Sequence, residues 1–390
     1  MREAVIVTTL RTPVGRGNKG TLKDTRPDDL AAIAIGAALE KTPGLEAAQI
    51  DDVIMGCAIP ECEQGMNVAR IASLSAGLPT SVSAMTVNRF CSSGLQAIAL
   101  AAQQIAVGDA DVVLAGGVES MSRVPMTGLK PCPNPELAER FPEAYAAMGH
   151  TAEEVARRFE VSREAQDEFS AESQARAMTA LEAGRFDDEL VPVSTRVQDA
   201  EGNWSDVVLD RDECPRGGTT AEGLAKLRPA FAAAGTVTAG NSSPISDGAA
   251  CAVVMSEEEA KARSLAPLAY FRGFVSAGVD PDIMGIGPVP AVRKLLTRKG
   301  MTLDQIDLIE VNEAFAAQSV YVVRELGLDP SKTNVNGGAI ALGHPLGYTG
   351  AKLSSTLIHE LRRRGGGQGV VTMCIGGGMG AAGLFEVLGG

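Results

Sequence analysis

Short apolar runs and longer, partly polar segments alternate along the first 120 residues of the chain. The short runs are rich in Val, Ile and Met and end at Gly, Pro or Asp, which predicts buried strands at 4–9, 53–55, 83–87 and 111–114. The longer segments contain no internal Pro and predict helices at 28–41, 66–76 and 95–107. Strands that alternate with helices in this way are typical of an α/β fold.

The alternation breaks between Ser120 and about Asn241, where Pro residues at 125, 131, 133 and 135 indicate irregular chain. Two charged helices are predicted after them, one beginning with a capping box at Thr151–Glu154 and one over 162–183. Strand-like pieces at 191–197 and 207–209 follow, and the buried-strand pattern resumes at 249–255 with a helix over 257–263. The middle section therefore predicts an insertion into the α/β fold.

Three segments of the first part of the chain recur in the same order near its end, at an offset of about 250 residues. The pairs are 44–51 with 300–307, 87–88 with 335–336, and 111–117 with 369–377. Any one pair could arise by chance, whereas three pairs in order favour two copies of one βαβ-rich unit.

One cysteine lies between a predicted strand and a predicted helix. Cys91 precedes Ser92 and Ser93, which favour helix starts, and an apolar, alanine-rich helix follows. Free N–H groups and the helix dipole favour a thiolate at such a place, so Cys91 is a candidate nucleophile. The alternative is a free cysteine that only packs in the core, and this stretch does not decide between them.

Composition and charge narrow the classes of function. A formal net charge of −13 argues against a nucleic-acid binder, and no apolar run approaches the ~18 residues of a membrane span. The seven cysteines include no C-x-x-C pair, so we expect neither a disulfide framework nor a zinc site. A reducing cytoplasm is the expected compartment.

A glycine-rich loop carries one of only three histidines. His344 stands among five glycines of segment 337–350 and is a candidate base, although a structural loop is the alternative. His359 is expected on a solvated face and His150 in a local structural role.

Two further segments join this candidate chemistry. Cys374 ends an apolar strand before a glycine turn that could be mistaken for a nucleotide loop, but no helix follows it. Asn312 could hold a water or an oxyanion, and Glu313 beside it is a buried acid or a structural residue.

Four of these motifs, taken together and in order, resemble the thiolases. They are Asn88–Gly94, Asn312–Phe315, Gly343–Pro345 and Cys374–Gly378. The resemblance implies a five-layered α/β/α/β/α fold with two duplicated halves and an inserted loop domain that binds coenzyme A. The implied domains are 1–119, completed by 245–266, then the insertion 120–244, and the second half 267–390.

The resemblance also implies a role for each matching residue. Cys91 would be the acylated nucleophile, His344 its activating base, and Cys374 the acid and base at the substrate carbon. Asn312, through a water, and His344 would hold the thioester oxygen, and the N–H groups of Cys91 and Gly376 would form a second oxyanion hole. Arg216 and Ser243 match coenzyme A contacts, whereas Met148, Phe231, Met284 and Phe315 match positions that line the acyl pocket.

The implied activity is thiolytic cleavage of a 3-ketoacyl-CoA, with coenzyme A as substrate and no permanently bound cofactor or metal. Ala147 stands where biosynthetic acetoacetyl-CoA thiolases usually carry a histidine, and Arg89–Ser93 is more similar to the degradative, β-oxidation class. An acetoacetyl-CoA thiolase working in condensation is the alternative, ahead of a non-catalytic acyl-CoA-binding relative. The implied partners are a second copy of the chain, as a homodimer or homotetramer, and another β-oxidation enzyme.

Overall fold

The computed structural model describes all residues from 1 to 390. Its strands are β1 Ala4–Arg11, β2 Gly15–Arg16, β3 Asp52–Gly56, β4 Ser83–Val87, β5 Val112–Ser120, β6 Val193–Gln198, β7 Trp204–Leu209, β8 Ser246–Ser256, β9 Ala269–Gly278, β10 Leu308–Val311, β11 Gly366–Ile375 and β12 Met379–Leu388. Its α-helices are α1 Pro27–Glu40, α2 Val68–Ser75, α3 Ser93–Val107, α4 Pro135–Arg140, α5 Met148–Arg158, α6 Arg163–Glu182, α7 Ala221–Leu224, α8 Glu257–Ala262, α9 Pro288–Lys299, α10 Ala316–Leu326, α11 Ala339–Leu342 and α12 Leu346–Arg363.

Four strands in each half of the main sheet share one topology, and β4 has no counterpart in the second half. In the first half the order is β4-β3-β5-β8-β1, with β3 parallel to β4 and β5 and the remaining pairs antiparallel. In the second half the order is β10-β11-β12-β9, with β10 parallel to β11 and the remaining pairs antiparallel. The halves join through only two residue pairs between β1 and β9. The predicted duplication is confirmed by this shared order and sense.

The repeat extends to single side chains before β3 and β10. Asp51 accepts backbone N–H groups at the start of β5, and Asp307 accepts the N–H of Gln368 in β11 at 2.8 Å. Each aspartate follows a short 3-10 turn, Ala47–Gln49 or Leu303–Gln305, whose ends are closed by a capping box. The two copies of the unit therefore start their parallel strand pairs in the same way.

The fold has five layers, because each half of the sheet buries side chains on both of its faces. On β8, Cys251, Val253 and Met255 pack with α1 and α2, whereas Ala250, Ala252 and Val254 pack with the central helices α3 and α12. The second half buries one face of β11 against α12 and its other face against α9 and α10. Because side chains alternate along a strand, helices pack against both faces of each half-sheet. Helices α3 and α12 form the middle layer, which lies between the two half-sheets.

The middle layer explains one wrong expectation. Phe90–Val107 is long and apolar enough to span a membrane by length and composition alone, contrary to our prediction that no run approaches that length. In this fold the stretch comprises α3 and the turn before it, packed between the two half-sheets. A helix buried on most of its surface requires the same apolar composition as a membrane span.

The insertion lies between β5 and β8 and contains α4 to α7 and the hairpin β6–β7. It is fastened to β1 by Arg11, which is fully buried and bonds both oxygens of Asp212 at 2.8 and 2.9 Å. The Arg11 guanidinium also pairs with Glu189 and lies 5.2 Å from the ring centre of Phe186. A buried charge needs such complete pairing, so the insertion cannot separate from the body without a large cost.

The predicted start of α5 is wrong, whereas α3 begins where Ser92 and Ser93 predict it but without a hydrogen bond from a serine cap. The predicted capping box does not form, because α5 begins three residues earlier, at Met148, and the Thr151 hydroxyl donates to the Met148 carbonyl inside the helix. At α3 the Ser92 hydroxyl has no partner, and the Ser93 hydroxyl bonds the backbone of Arg89 and Phe90. Phe90 has a φ of 43°, so a tight turn and not a serine cap leads into α3.

Gly350 on α12 tests how closely the central helices must approach each other. A Cβ added there would lie 2.3 Å from the backbone nitrogen of Leu95 on α3, and that backbone cannot move aside cheaply. We expect Gly350→Ala to lower the free energy of unfolding by about 1–3 kcal/mol, measured by urea denaturation. The matched control is Gly36→Ala on α1, where an added Cβ meets nothing within 4 Å and should stabilise by about 0.5–1 kcal/mol. Equal effects of the two changes would contradict the close approach.

Candidate active site

The first turns of the two central helices meet at one end of the middle layer. A Cβ on Gly94 of α3 would lie 2.7 Å from the nitrogen of Ala351 and 2.9 Å from the carbonyl oxygen of Gly347, both on α12. Cys91 lies just before α3 and His344 just before α12. The contact between the helices therefore brings together two candidate residues that are more than 250 positions apart in the sequence.

Cys91 is buried, with 1% of its surface exposed, and it packs against Ala58, Met121 and Leu346. Burial raises the pKa of its thiol to about 12, although the backbone N–H groups of Gly376 and Cys91 point at the sulfur and oppose this shift. Desolvation therefore outweighs the helix terminus, and the thiolate that the sequence favours is not the resting form of Cys91. The two N–H groups predicted to form an oxyanion hole do lie together at the sulfur.

Cys374 lies at the end of β11, is fully buried and neighbours Cys91. Burial raises the pKa of its thiol, and negative charge on Cys91 raises it further. The two sulfurs are therefore close enough for one to influence the ionisation of the other. Both thiols are therefore protonated at neutral pH.

His344 is held from both sides by hydroxyl groups. Its backbone N–H donates to Ser246 Oγ at 2.8 Å, and its Nδ1 lies 2.6 Å from Thr349 Oγ1. Because the Thr349 hydroxyl donates its own hydrogen to the Pro345 carbonyl at 2.7 Å, it can only accept from His344. We infer from this network that the proton sits on Nδ1, so that Nε2 carries the lone pair that can act as a base.

The charge state of His344 is set by burial, which lowers the pKa of its imidazole to about 3. The ring is therefore neutral at physiological pH and able to accept a proton at Nε2. A neutral imidazole can take the proton of a thiol as that thiol attacks, which creates the nucleophile and an ion pair in one step.

Asn312 ends β10 and contacts His344 directly. Its Nδ2 lies 3.2 Å from His344 Nε2, and its backbone N–H donates to the Thr372 carbonyl on β11 at 2.9 Å. Its Oδ1 is buried without a partner. Asn312 and His344 therefore present adjacent polar groups, which is the arrangement needed to hold one oxygen of a substrate.

Glu313, next in the chain, has a structural role in this geometry. Its carboxylate accepts from Ser173 Oγ at 2.6 Å, from Asn334 Nδ2 at 2.7 Å and from the N–H of Ile340 at 3.3 Å. Burial raises the pKa of Glu313. The side chain joins α6 of the insertion to the second half and thereby supports the loop that carries Asn312.

Four apolar side chains form a wall beside the two cysteines. Met148 packs against two hydrophobic clusters, one that contains Cys91 and one that contains Cys374. The cluster with Cys374 also contains Met284 and Phe315. Phe231 joins this wall through its contact with the Phe315 ring. The rings of Phe231 and Phe315 meet edge to face, with centres 6.0 Å apart. Gly376 borders the same wall, since an added Cβ would lie 3.7 Å from Met148 Cε. An acyl chain attached at Cys91 would meet this surface.

The two predicted coenzyme A contacts lie on the insertion side. Arg216 is exposed, its side chain makes no ion pair, and it lines a small cavity with Ser242 and Pro244, the neighbours of Ser243. The N–H of Ser243 donates to the Ala314 carbonyl at 3.0 Å, next to Phe315 of the apolar wall. Lys226 and Arg228 are also exposed and unpaired. The insertion therefore carries three exposed cations that have no ion-pair partner.

Several supporting residues were missed from the sequence. Thr349, Ser246 and Glu119 contact His344 or the loops beside Cys91, and only Thr349, five residues after His344, lies near enough in the chain to have been suspected. His359 was expected on a solvated face, but it is half-buried and bonds the Thr9 carbonyl at 3.1 Å. No three His, Cys, Asp or Glu side chains are grouped to hold a metal ion.

Family comparison agrees with this geometry over the whole chain. The model of the thiolase N-terminal domain matches residues 4–258, and that of the thiolase C-terminal domain matches residues 265–387. The chain belongs to the thiolase family. Its predicted α/β fold class is confirmed, and it is an acyltransferase of the kind that acts on coenzyme A thioesters.

Relatives of this thiolase carry two different names. A 3-ketoacyl-CoA thiolase of Bacillus subtilis is 56% identical, covering 99% of this chain and 100% of the relative. An acetyl-CoA acetyltransferase of Syntrophomonas wolfei is 46% identical, covering 99% and 100%.

Solved structures show the same fold. The acetyl-CoA acetyltransferase of Bacillus anthracis superposes with a TM-score of 0.90 at 44% identity, over 100% of this chain and 99% of that one. The dimeric peroxisomal thiolase of Saccharomyces cerevisiae gives 0.89 at 39% identity, over 99% and 97%.

His344 is expected to make this thiolase sensitive to acid. Its pKa is about 3 in the folded protein against an ordinary value of 6.5, so between these values the unfolded chain binds a proton that the folded state does not. The free energy of unfolding should therefore fall as the pH drops below 6.5, by about 2 kcal/mol at pH 5 from this group alone. Urea unfolding at pH 7 and pH 5 measures the effect, and His344→Asn should lack it. The same pH dependence in both proteins would contradict the buried neutral histidine.

Proposed function

We propose that the protein is a 3-ketoacyl-CoA thiolase that cleaves a 3-ketoacyl-CoA with coenzyme A to give acetyl-CoA and an acyl-CoA two carbons shorter. The observation that supports this most strongly is the meeting of two buried cysteines, His344 and Asn312 beside an apolar wall. The 56% identity to a named 3-ketoacyl-CoA thiolase over the full length agrees with it.

In the first step, His344 Nε2 takes the proton from the Cys91 thiol, and the thiolate attacks the ketone carbon of the substrate. The N–H groups of Cys91 and Gly376 lie at the sulfur and would stabilise the alkoxide that forms there. Proton transfer is coupled to attack because burial disfavours both the thiolate and the imidazolium when either is formed alone.

In the second step, the bond between the α and β carbons breaks, and its electron pair passes to the acetyl-CoA enolate. The enolate oxygen is held by Asn312 and the protonated His344, and Cys374 gives its thiol proton to the carbon. The raised pKa of Cys374 suits this role, because the residue must still hold its proton at neutral pH. Acetyl-CoA leaves, and the acyl group remains on Cys91.

In the third step, a new coenzyme A thiol gives its proton to the Cys374 thiolate and attacks the acyl group. The oxyanion again lies at the N–H groups of Cys91 and Gly376. The expelled Cys91 thiolate recovers its proton from His344, so the enzyme returns to its starting state. The scheme is ping-pong, with an acyl-cysteine intermediate between the two coenzyme A products.

Coenzyme A is proposed to bind on the insertion, residues 120–244. The first half of the fold is taken as 1–119 together with 245–266, and the second half as 267–390. Arg216, Lys226 and Arg228 supply exposed positive charge, and the backbone of Ser243 bonds that of Ala314, next to Phe315 of the apolar wall. Exposed cations attract phosphate groups even though the whole chain carries a net charge of −13. No permanently bound cofactor is proposed.

Acyl chains longer than acetyl are proposed as substrates, with Met148, Phe231, Met284 and Phe315 as their wall. The alternative is an acetoacetyl-CoA thiolase, which is favoured by the acetyl-CoA acetyltransferase names among relatives at 45–48% identity. The two candidates differ in which ketoacyl chain length is turned over.

The enzyme is proposed to act in the cytoplasm as a homodimer or homotetramer, with another β-oxidation enzyme as a further partner. Strand β4 leaves one edge unpaired, and Ile71 and Leu74 of the neighbouring helix α2 are 41% and 42% exposed. An open strand edge beside exposed apolar side chains favours self-association. All seven cysteines are free, as expected for a reducing compartment.

Intact-protein mass spectrometry after mixing with 3-ketooctanoyl-CoA tests the nucleophile. Without free coenzyme A, the wild type should gain one hexanoyl group, and Cys91→Ala should gain none. Cys251→Ala removes another buried cysteine, on β8, and should acylate as the wild type does. An adduct that persists in Cys91→Ala would contradict the assignment. Turnover of acetoacetyl-CoA alone would favour the alternative function.

Arg216→Ala tests the coenzyme A site by steady-state kinetics. We expect the KM for coenzyme A to rise about tenfold with little change in kcat, because a lost phosphate contact of about 1.4 kcal/mol weakens binding uniformly. Arg298→Ala removes the same charge from α9 on the outer layer and should change neither parameter. Equal effects of the two substitutions would mean that Arg216 acts only through general charge.

A further inference from the structure

A fully buried carboxylate, Glu119, lies behind the two catalytic loops and has no part in the reaction scheme. It ends β5 and accepts the N–H of Ala58 at 2.8 Å, the N–H of Ile59 at 3.2 Å and the N–H of Gly347 at 2.8 Å. The side-chain amide of Gln64 donates to it at 2.7 Å. The Cys57 thiol is a fifth, more distant donor, with its sulfur 3.8 Å from the carboxylate. Burial raises the pKa of Glu119, whereas the donors around it favour the carboxylate form.

The donors belong to the segments that hold the nucleophile and the base. Ala58 follows β3 and packs against Cys91, and its carbonyl also accepts from the Asn88 side chain at 2.9 Å. Gly347 is in the first turn of α12, three residues after His344, and its neighbour Leu346 packs against Cys91. One carboxylate therefore bonds to two parts of the site. It accepts from the wall of the Cys91 pocket in the first half and from the start of the helix that follows His344 in the second half.

The packing around this junction leaves no freedom for a different arrangement. A Cβ on Gly347 would lie 2.7 Å from the Cα of Cys57 and 2.9 Å from a carboxylate oxygen of Glu119. A Cβ on Gly117 of β5 would lie 2.1 Å from the carbonyl oxygen of Gly347. The N-terminus of α12 also favours a negative charge at the position that Glu119 occupies.

We propose that Glu119 is a positioning residue for the thiolase reaction: its carboxylate sets the distance between the Cys91 pocket and the His344 helix and places a fixed negative charge behind the nucleophile. This inference rests on the proposed function. Burial is the largest cause of the raised pKa of the Cys91 thiol, and the charge of Glu119 is a smaller cause in the same direction, so it opposes early ionisation of Cys91. The nucleophile is then released only when His344 takes its proton with substrate in place.

Two variants of Glu119 and one control variant separate the effect of its charge from the effect of its side-chain length. Glu119→Gln keeps the shape but removes the charge and turns one acceptor into a donor that faces other donors. Glu119→Asp keeps the charge but shortens the side chain. Asp51→Asn is the matched control, because Asp51 is a carboxylate that accepts two backbone N–H groups at the other end of the same strand, β5.

The measurements are kcat and KM for thiolysis and the pH profile of Cys91 alkylation by iodoacetamide, located by peptide mass spectrometry. We expect kcat to fall about 100-fold in Glu119→Gln and in Glu119→Asp, with KM for coenzyme A little changed, because misplacing a reacting group by about 1 Å has such effects. The alkylation profile should move to lower pH in Glu119→Gln only. Asp51→Asn should keep the wild-type kcat and profile.

The inference is overturned if folded Glu119→Gln retains the wild-type kcat, or if its alkylation profile coincides with that of the wild type and of Asp51→Asn. If Glu119→Gln does not fold, the charge-preserving Glu119→Asp decides the positioning role, and a wild-type kcat in that variant overturns it. Alkylation is read without turnover, whereas a wild type that cleaves no 3-ketoacyl-CoA would contradict the proposed function itself.

Discussion

The active site depends on how closely the backbones of α3 and α12 approach each other where both helices begin. Glycines make this approach: Gly94 and Gly350 each leave no room for a Cβ against the opposite helix, and Gly56 lies against the backbone of Ser93 in the same way. Helices that carry ordinary side chains at their contact pack 8–10 Å apart. The glycines allow a shorter distance between the two helices at this end. Because of that short distance, Cys91 can contact the residues that follow His344.

Duplication explains why the two helix starts meet but does not explain their chemistry. Each half places a loop after its parallel strand pair at the same end of the middle layer, so two equivalent turns face each other. The first half uses its turn for Cys91, whereas the second half contributes Asn312, His344 and Cys374 from three different strand or helix ends. The copies have therefore kept one backbone arrangement and diverged in side chains, so that neither half holds a complete site.

Burial controls the chemistry of this site more than any single charge does. It raises the pKa of Cys91 to about 12 and lowers the pKa of His344 to about 3, which leaves every reacting group neutral before substrate binds. In such surroundings a separated charge is costly, and N–H groups aimed at a developing oxyanion are worth more than they would be in water. The protonated thiol is a weak nucleophile until His344 takes its proton, so reactivity depends on substrate and proton transfer together.

Periodicity, turn residues and repeated segments in the sequence determined the α/β class, most strands and helices, the inserted segment and the identity of the principal candidate residues, because these signals are local. Tertiary structure alone decided which residues meet. The helix dipole argument for a Cys91 thiolate failed because desolvation depends on everything packed around the sulfur, and the capping box at Thr151 failed because α5 begins upstream of it. Glu119, Ser246 and Thr349 carry no local signal of function; they act through contacts between segments far apart in the chain, which only the folded backbone creates.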